Sequence, residues 1–357
     1  MSRYFSEKFK DLEPYVPGEQ PKDMCYVKLN TNESPFPPSA KALERAEQAM
    51  KRLQLYSDPQ CTELVRLAAE RYNISEDEIL FTNGSDEGLN FAFMAFCDEA
   101  HPAAFPDITY GFYPVFAELN RVPYKQIPLQ ADFTIGVSDY VGIDHTVFIA
   151  NPNAPTGKVL SLEQIEMILR GNPNNVVVVD EAYVDFGAES SVPLIHKYDN
   201  LLVVQTFSKS RSMAGARLGL CIGCKELIQD LQAIKYSTNP YNVNSMTMAA
   251  GVGALEDDEY FRENCQKIIN YRSWTTDTLR GLGFTVLDSS ANFILAKHPS
   301  VGGKDIYLQL KARGVLVRHF NTARLKDYVR ITIGSMEQME ILVDNLKEIL
   351  EEANENC

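Results

Sequence analysis

A lysine follows directly on an apolar run in Leu201-Leu-Val-Val-Gln-Thr206-Phe-Ser208-Lys209-Ser-Arg-Ser-Met-Ala-Gly-Ala-Arg217. Desolvation and like charge both weaken the charged form of an amine placed at the end of a buried strand among cations. Such an amine is a usable nucleophile near neutral pH. Thr206 and Ser208 add hydroxyls, and Arg217 adds a guanidinium able to grip a phosphate through two parallel hydrogen bonds. Taken alone, the segment reads equally as a solvated polar turn. Upstream, Val176-Val-Val-Val-Asp180-Glu-Ala-Tyr183 ends a second apolar run in an acid. A buried carboxylate is unfavourable unless it faces a cation, and a pyridinium is one candidate. Tyr183, three residues on, can donate its phenolic proton to a neighbouring oxygen. A helix-capping aspartate is the competing reading of Asp180.

Phe81-Thr-Asn-Gly84-Ser85-Asp86-Glu-Gly-Leu runs from strand through a glycine turn into a helix. Free amides and the helix dipole at such a point bind anions, and simple capping by Ser85 and Asp86 is compatible with that. Asn151-Pro-Asn153-Ala-Pro-Thr-Gly157 is a polar turn whose amides can reach a ligand hydroxyl. Tyr110 in Ile-Thr-Tyr-Gly-Phe-Tyr can stack on a flat ring, although core packing is the default for any one of 35 Phe and Tyr residues. An amine, a buried acid, a phenol and an anion cradle are the groups that pyridoxal phosphate demands of a protein.

These groups need elements to hold them. Short apolar runs at Ile79–Thr82, Ala103–Phe105, Thr146–Ala150, Val176–Val179, Leu201–Gln205 and Leu218–Ile222 alternate with helix-like segments. Continuous rather than alternating apolar runs predict strands buried on both faces of a largely parallel sheet. Four of them end in polar clusters, and ligands of open α/β sheets sit beyond the carboxyl ends of strands. After about residue 250 the pattern predicts a long helix at Asp257–Leu282. Strands at Phe284–Leu287, Phe293–Ala296, Val315–Arg318 and Val329–Ile333 follow, then a closing helix from about Met336 to Glu352. The expected organisation is a large domain at 45–248, with a Pro-rich arm at 1–44 and a smaller α+β domain at 249–357.

Thirty-four basic against forty-eight acidic side chains give a formal charge of −14, which argues against nucleic acid or an anionic membrane as partner. The first residues lack the apolar core of a signal peptide and no run approaches membrane-spanning length, so a cytoplasmic chain is expected. Seven cysteines without framework spacing fit reduced thiols. Cys221 and Cys224 form a C-x-x-C, but no second pair or nearby histidine completes a metal site, and none is expected.

The order of these segments resembles fold-type I pyridoxal-phosphate aminotransferases over essentially the whole chain, and among them the histidinol-phosphate aminotransferases. The closest matches are Leu12-Glu-Pro-Tyr15-Val-Pro-Gly-Glu, Leu29-Asn-Thr-Asn32-Glu33-Ser-Pro, Tyr56-Ser-Asp-Pro-Gln60, Val315-Leu-Val-Arg318-His-Phe and Tyr328-Val-Arg330-Ile-Thr-Ile-Gly. The resemblance implies an α/β fold with a mostly parallel central sheet flanked by helices and a smaller α+β domain. It implies transamination between L-histidinol phosphate and 2-oxoglutarate, in histidine biosynthesis, by a homodimer with shared active sites. It casts Lys209 as the lysine that forms an imine with the cofactor, Asp180 as the pyridinium partner and Tyr183 as donor to the ring hydroxyl. Gly84, Ser85, Asp86, Thr206, Ser208 and Arg217 become the phosphate cup and Tyr110 the stacking ring. Tyr56 matches a tyrosine given to the other subunit's cup. Arg330, with Arg318, Tyr15 and Asn32, forms the substrate pocket.

One position departs from that pattern. The family's turn usually carries an asparagine at the place of Ala154, so either Asn153 takes over the contact to the ring hydroxyl or the contact is lost. A threonine-phosphate decarboxylase or an aromatic amino acid aminotransferase shares the fold and is the alternative activity. A dehydrogenase is disfavoured, since Gly251-Val-Gly253-Ala-Leu-Glu lacks the third glycine and follows a helical stretch. Gly302-Gly-Lys304 lacks the rest of a P-loop, and about 40 residues before the large domain leave little room for a DNA-binding module.

Overall fold

A computed structural model describes residues 2–10 and 12–355. In chain order its strands are β1 (Val27–Lys28), β2 (Ile79–Thr82), β3 (Ala103–Pro106), β4 (Tyr124–Ile127), β5 (Thr146–Ala150), β6 (Val177–Asp180), β7 (Leu201–Thr206), β8 (Gly219–Gly223), β9 (Thr285–Val286), β10 (Phe293–Lys297), β11 (Val315–Leu316), β12 (Arg318–His319) and β13 (Val329–Thr332). The helices are α1 (Ala40–Met50), α2 (Thr62–Tyr72), α3 (Ser85–Phe96), α4 (Phe112–Asn120), α5 (Leu162–Gly171), α6 (Lys225–Thr238), α7 (Ser245–Glu256), α8 (Asp258–Gly281), α9 (Gly303–Ala312) and α10 (Met336–Glu355).

Seven strands form one sheet in the order β2-β8-β7-β6-β5-β3-β4, in which only β8 runs antiparallel to its neighbours. The apolar runs explain it. Val177, Val179, Leu201, Val203 and Ile149 pack into the core on one face, while Val178, Leu202, Val204, Phe148 and Ala150 pack into the core on the other. A strand clad by helices on both sides has no polar face, which is why these runs do not alternate. A third core surrounds the four-stranded antiparallel sheet β12-β13-β10-β9 and takes in Met339, Leu342, Leu346 and Ile349 of α10, the 3.6-residue stripe of the closing helix.

Three features differ from expectation. The edge strand β4 was not foreseen, because three of its four residues are exposed. Val315–Arg318 is two strands, not one: β11 pairs with β1, and β12 turns to pair with β13. The segment 1–44 is not all arm, since β1 and the start of α1 belong to it. The expected boundaries at 45 and 248 fall inside α1 and α7, two helices packed along each other.

No helix is long and apolar enough to cross a membrane among the described residues. Six of the seven cysteines are free thiols, and Cys357 lies outside the described residues. No group of three His, Cys, Asp or Glu side chains is placed to hold a metal ion among the described residues.

Candidate active site

The carboxyl ends of β5, β6 and β7 lie side by side, with Ala150 opposite Asp180 and Asp180 opposite Val204. The end of β2 joins them across β8, where Thr82 and Thr206 both face Gly219. That register gathers one cavity lined by Ser85, Asp86, Tyr110, Ala154, Asp180, Ala182, Tyr183, Thr206, Ser208, Lys209 and Arg217. Sequence segments up to 132 residues apart thus meet because the parallel strands end, and the antiparallel β8 begins, at one edge.

At the anion end, α3 begins at Ser85 with no side chain capping its first amides. Gly84 precedes it at φ 76°, and a Cβ there would come within 2.6 Å of the Arg217 guanidinium. Only glycine allows both the turn and the approach. Gly219 works the same way from below, since its added Cβ would strike the backbone of Gly84 and Ser85 at 2.4 Å. Arg217 is itself left-handed and donates to Asp86 Oδ2 at 2.7 Å, while the Tyr110 hydroxyl donates to Asp86 Oδ1 at 2.6 Å. Thr206 donates to Ser208 Oγ at 2.9 Å.

Asp180, at the end of β6, lines the same cavity and is 4% exposed. Burial is the main cause that pushes its carboxyl up to about 7, against hydrogen bonds from Tyr113 and the Ala182 amide that lower it. Among the described residues no lysine, arginine or histidine pairs with it. A buried acid facing a cavity with no cation of its own calls for a cationic ligand atom. Lys209 lines the same cavity, its Nζ donating to the Thr31 carbonyl at 3.3 Å. Burial above all, then the Arg330 cation, depresses its amine to about 8, with Glu33 and Asp86 opposing.

A second cavity of about 430 Å³ adjoins the first and shares Tyr110, Ala154, Tyr183 and Lys209 with it. Its other walls include Tyr15, Asn32, Asp107, Arg318 and Arg330. Arg318 and Arg330 are cross-strand partners on β12 and β13, a like-charged pairing that destabilises a sheet unless an anion sits between them. The Arg330 guanidinium donates to the Asn30 carbonyl at 2.9 Å, its Nε is buried without a partner, and it lies over Phe293 and Phe320. Among the described residues no carboxylate forms an ion pair with either arginine. Tyr15 stacks on Phe112, with centroids 4.1 Å apart.

Asn32 sits at φ 57° with its side chain engaged. Its Nδ2 donates to the Tyr183 hydroxyl and its Oδ1 accepts from Thr332, both at 3.0 Å. Accepting from Asn32 leaves the Tyr183 proton free to point into the cavity.

Two expected site residues stand elsewhere. Asn153 does not face the cavity: its Oδ1 accepts from Thr109, and its Nδ2 donates to the Ile108 carbonyl and to Thr156. Its polar atoms tie the turn to the loop after β3 and to Thr156, and the wall position belongs to Ala154. Asn153 is therefore withdrawn as a ligand contact. Tyr56 is 84% exposed and stacks on Tyr241, lining a different groove. Sequence reasoning missed Tyr113, Thr31 and Thr332, which act through backbone or through other side chains and have no motif of their own.

The chain matches the model of the family "Aminotransferase class I and II" over residues 25–346. It is 50% identical to the histidinol-phosphate aminotransferase of Brachyspira hyodysenteriae, covering 98% of this chain and 99% of that one. It is 49% identical to the protein of the same name from Clostridium botulinum strain Kyoto, covering 98% and 99%. In structure it is similar to the histidinol-phosphate aminotransferase of Sinorhizobium meliloti crystallised with pyridoxal-5'-phosphate. That likeness has a TM-score of 0.90 at 23% identity, covers 99% of each chain, and speaks for the fold.

Proposed function

The chain belongs to the aminotransferase class I and II family, and on that premise we propose that it transfers the amino group of L-histidinol phosphate to 2-oxoglutarate with pyridoxal phosphate as cofactor. The relatives at 49–50% identity carry the name of that activity. The observation that carries the substrate reading is the pair Arg318 and Arg330, opposite each other on neighbouring strands beside Lys209.

The residues fit the cofactor on three separate counts: a buried acid with no cation of its own, an uncapped helix start beside Arg217, and a phenol whose proton is free. When bound, pyridoxal phosphate supplies an aldehyde that amines can join and a ring that accepts the electrons released when an α-proton leaves. Lys209 would hold it covalently, and Asp180 would pair with its ring nitrogen. Tyr183 would donate to its ring oxygen, and Tyr110 would lie against the ring. Ser85, Thr206, Ser208, Arg217 and the first amides of α3 would hold the phosphate. As a free amine, Lys209 Nζ would act as general base for the substrate's α-proton, and its depressed basicity suits that role near neutral pH.

A phosphate ester has more acceptor oxygens and more charge than a carboxylate, so it can engage two guanidinium groups and a phenol together. Arg330, Arg318 and Tyr15 supply that set, while a dicarboxylate relies mainly on Arg330. Arg318→Ala is therefore expected to lower kcat/KM for histidinol phosphate about tenfold or more beyond its effect on glutamate. That corresponds to about 1.5–3 kcal/mol for a hydrogen bond to a charged group. Measuring both half-reactions for wild type and variant tests this, and equal losses remove the phosphate-specific role. Carbon dioxide release from threonine phosphate without amino transfer would replace the reading with a decarboxylase.

The same proposal includes a cytoplasmic homodimer with a large part at about 45–248 and a smaller one built from both chain ends. Leu43, Met50, Leu53, Leu55, Tyr56 and Tyr241 are exposed around α1 and its following turn, an apolar surface suited to a second copy. Tyr56, remote from its own chain's cavity, is taken to complete the partner's phosphate cup. Mixing inactive Lys209→Ala and Tyr56→Phe chains should then restore activity, because a hybrid holds one site lacking both groups and one intact site. Confirmed hybrids with no more activity than either parent would refute shared sites.

A further inference from the structure

Asp180 is held by two donors, and one belongs to a side chain that lines neither cavity. Tyr113 of α4 is wholly buried, and its hydroxyl donates to Asp180 Oδ2 at 3.0 Å. The Ala182 amide donates to Oδ1 at 3.2 Å. The Tyr113 ring stands edge-on to Tyr110, with centroids 5.7 Å apart and planes at 84°, and packs against Phe105 and Phe148. One buried phenol thus joins the acid at the floor of the site to the ring on its wall.

Packing alone does not explain the hydroxyl. A phenylalanine would fill the same space, and a buried hydroxyl is unfavourable unless bonded. We infer that Tyr113 is a positioning residue that keeps Asp180 ionised and aimed at the cofactor's ring nitrogen, an inference that rests on the pyridoxal-phosphate reading above. Asp180 also faces Asp86 of α3, its neighbour Glu181, Tyr183 and Cys221 of β8. The two carboxylates push its carboxyl up, as burial does, and the Tyr113 bond is the largest influence opposing them. Burial and Asp180 together hold the Tyr113 phenol well above its ordinary range, so it remains a donor.

The test is Tyr113→Phe in the cofactor-loaded enzyme, followed by absorbance from pH 5 to 10 alongside turnover. Without the donor, Asp180 supports less positive charge on the ring, and the lysine-bound nitrogen keeps its proton to higher pH. The midpoint of the visible band is expected to rise by about one unit, a tenfold change in proton affinity, with turnover falling about tenfold. Phe148→Leu disturbs the same packing without touching the bond and should leave the midpoint in place. An unmoved midpoint in Tyr113→Phe overturns the inference even if turnover falls, and so does an equal shift in Phe148→Leu. Cofactor-free protein gives an independent reading: the loss of thermal stability between pH 6 and 8 should grow in Tyr113→Phe, and an unchanged loss counts against the inference. A wild type with no visible band sinks the cofactor reading itself, whereas a normal wild type with an unmoved variant sinks only the role of Tyr113.

Discussion

Lys209→Ala is expected to abolish the pH-sensitive visible band that pyridoxal phosphate gives when joined to the protein, and to reduce turnover by about four orders of magnitude or more. A positioned general base alone is worth roughly 10²–10⁴-fold, and this lysine is also the covalent anchor. Its amine is suited to both tasks because burial and the Arg330 cation depress it to about 8. The phosphate end of the cavity does not depend on Lys209, so the variant should still bind the cofactor noncovalently. Equilibrium dialysis with absorbance separates the two effects. A variant that keeps the band, or keeps turnover within tenfold of wild type, would remove Lys209 from the chemistry.

Asp180→Asn should produce opposite effects on activity and on the bare protein. Activity should fall about 10²–10³-fold, the usual loss when a preorganised charge facing a reacting group is removed. Stability without cofactor should move the other way. The folded carboxyl sits at about 7 rather than at its ordinary 3.8, so the folded state binds the proton more tightly than the unfolded chain does. Its contribution to stability is therefore full below about 3.8 and lost as pH rises through about 7. The swing is at most roughly 4 kcal/mol, since one pKa unit corresponds to about 1.4 kcal/mol. Cofactor-free wild type should melt lower at pH 8 than at pH 6, and Asp180→Asn should flatten that slope and melt higher at pH 8. Adding pyridoxal phosphate should stabilise wild type more than the variant. Parallel melting curves for the two proteins at pH 6 and 8 would refute the account.

What was legible in the sequence and what was not divides along physical lines. The strands β2, β5, β6, β7 and β10 were readable because burial on both faces leaves a continuous apolar run that needs no knowledge of partners. β4 was not, since Tyr124, Lys125 and Gln126 are solvated at a sheet edge. The break at Val317 was hidden because it arises from two partners, β1 and β13, that approach from opposite ends of the chain. In the site, Lys209, Asp180, Tyr183, Ser85, Asp86, Tyr110, Thr206 and Ser208 lie at or just after the carboxyl ends of strands that share a direction, and Arg217 stands at the start of the antiparallel β8, which begins at the same edge. Asn153 and Ala154 are neighbours in one turn, and composition cannot say which faces the cavity: the polar atoms of Asn153 bond Ile108, Thr109 and Thr156, and Ala154 lines the wall. Tyr113 was invisible because its partner Asp180 is 67 residues away and its surroundings are ordinary aromatic core.

The strip from Leu29 to Asn32 has a consequence for how the chain comes into being. Much of its fastening comes from residues near the other end: the Asn32 amide donates to Thr332, the Asn32 carbonyl accepts from Asn292, and the Asn30 carbonyl accepts from Arg330. The span from Asn32 to Thr332 is 300 residues. At ribosomal speeds of about 5–20 residues per second, roughly 15–60 s separate the synthesis of the two. The seven-stranded sheet can assemble during that interval, but Tyr183 lacks its Asn32 donor and the arginines are not yet made. The nascent protein therefore carries a cradle before it carries a pocket, and its capacity to choose a substrate is among the last properties it acquires.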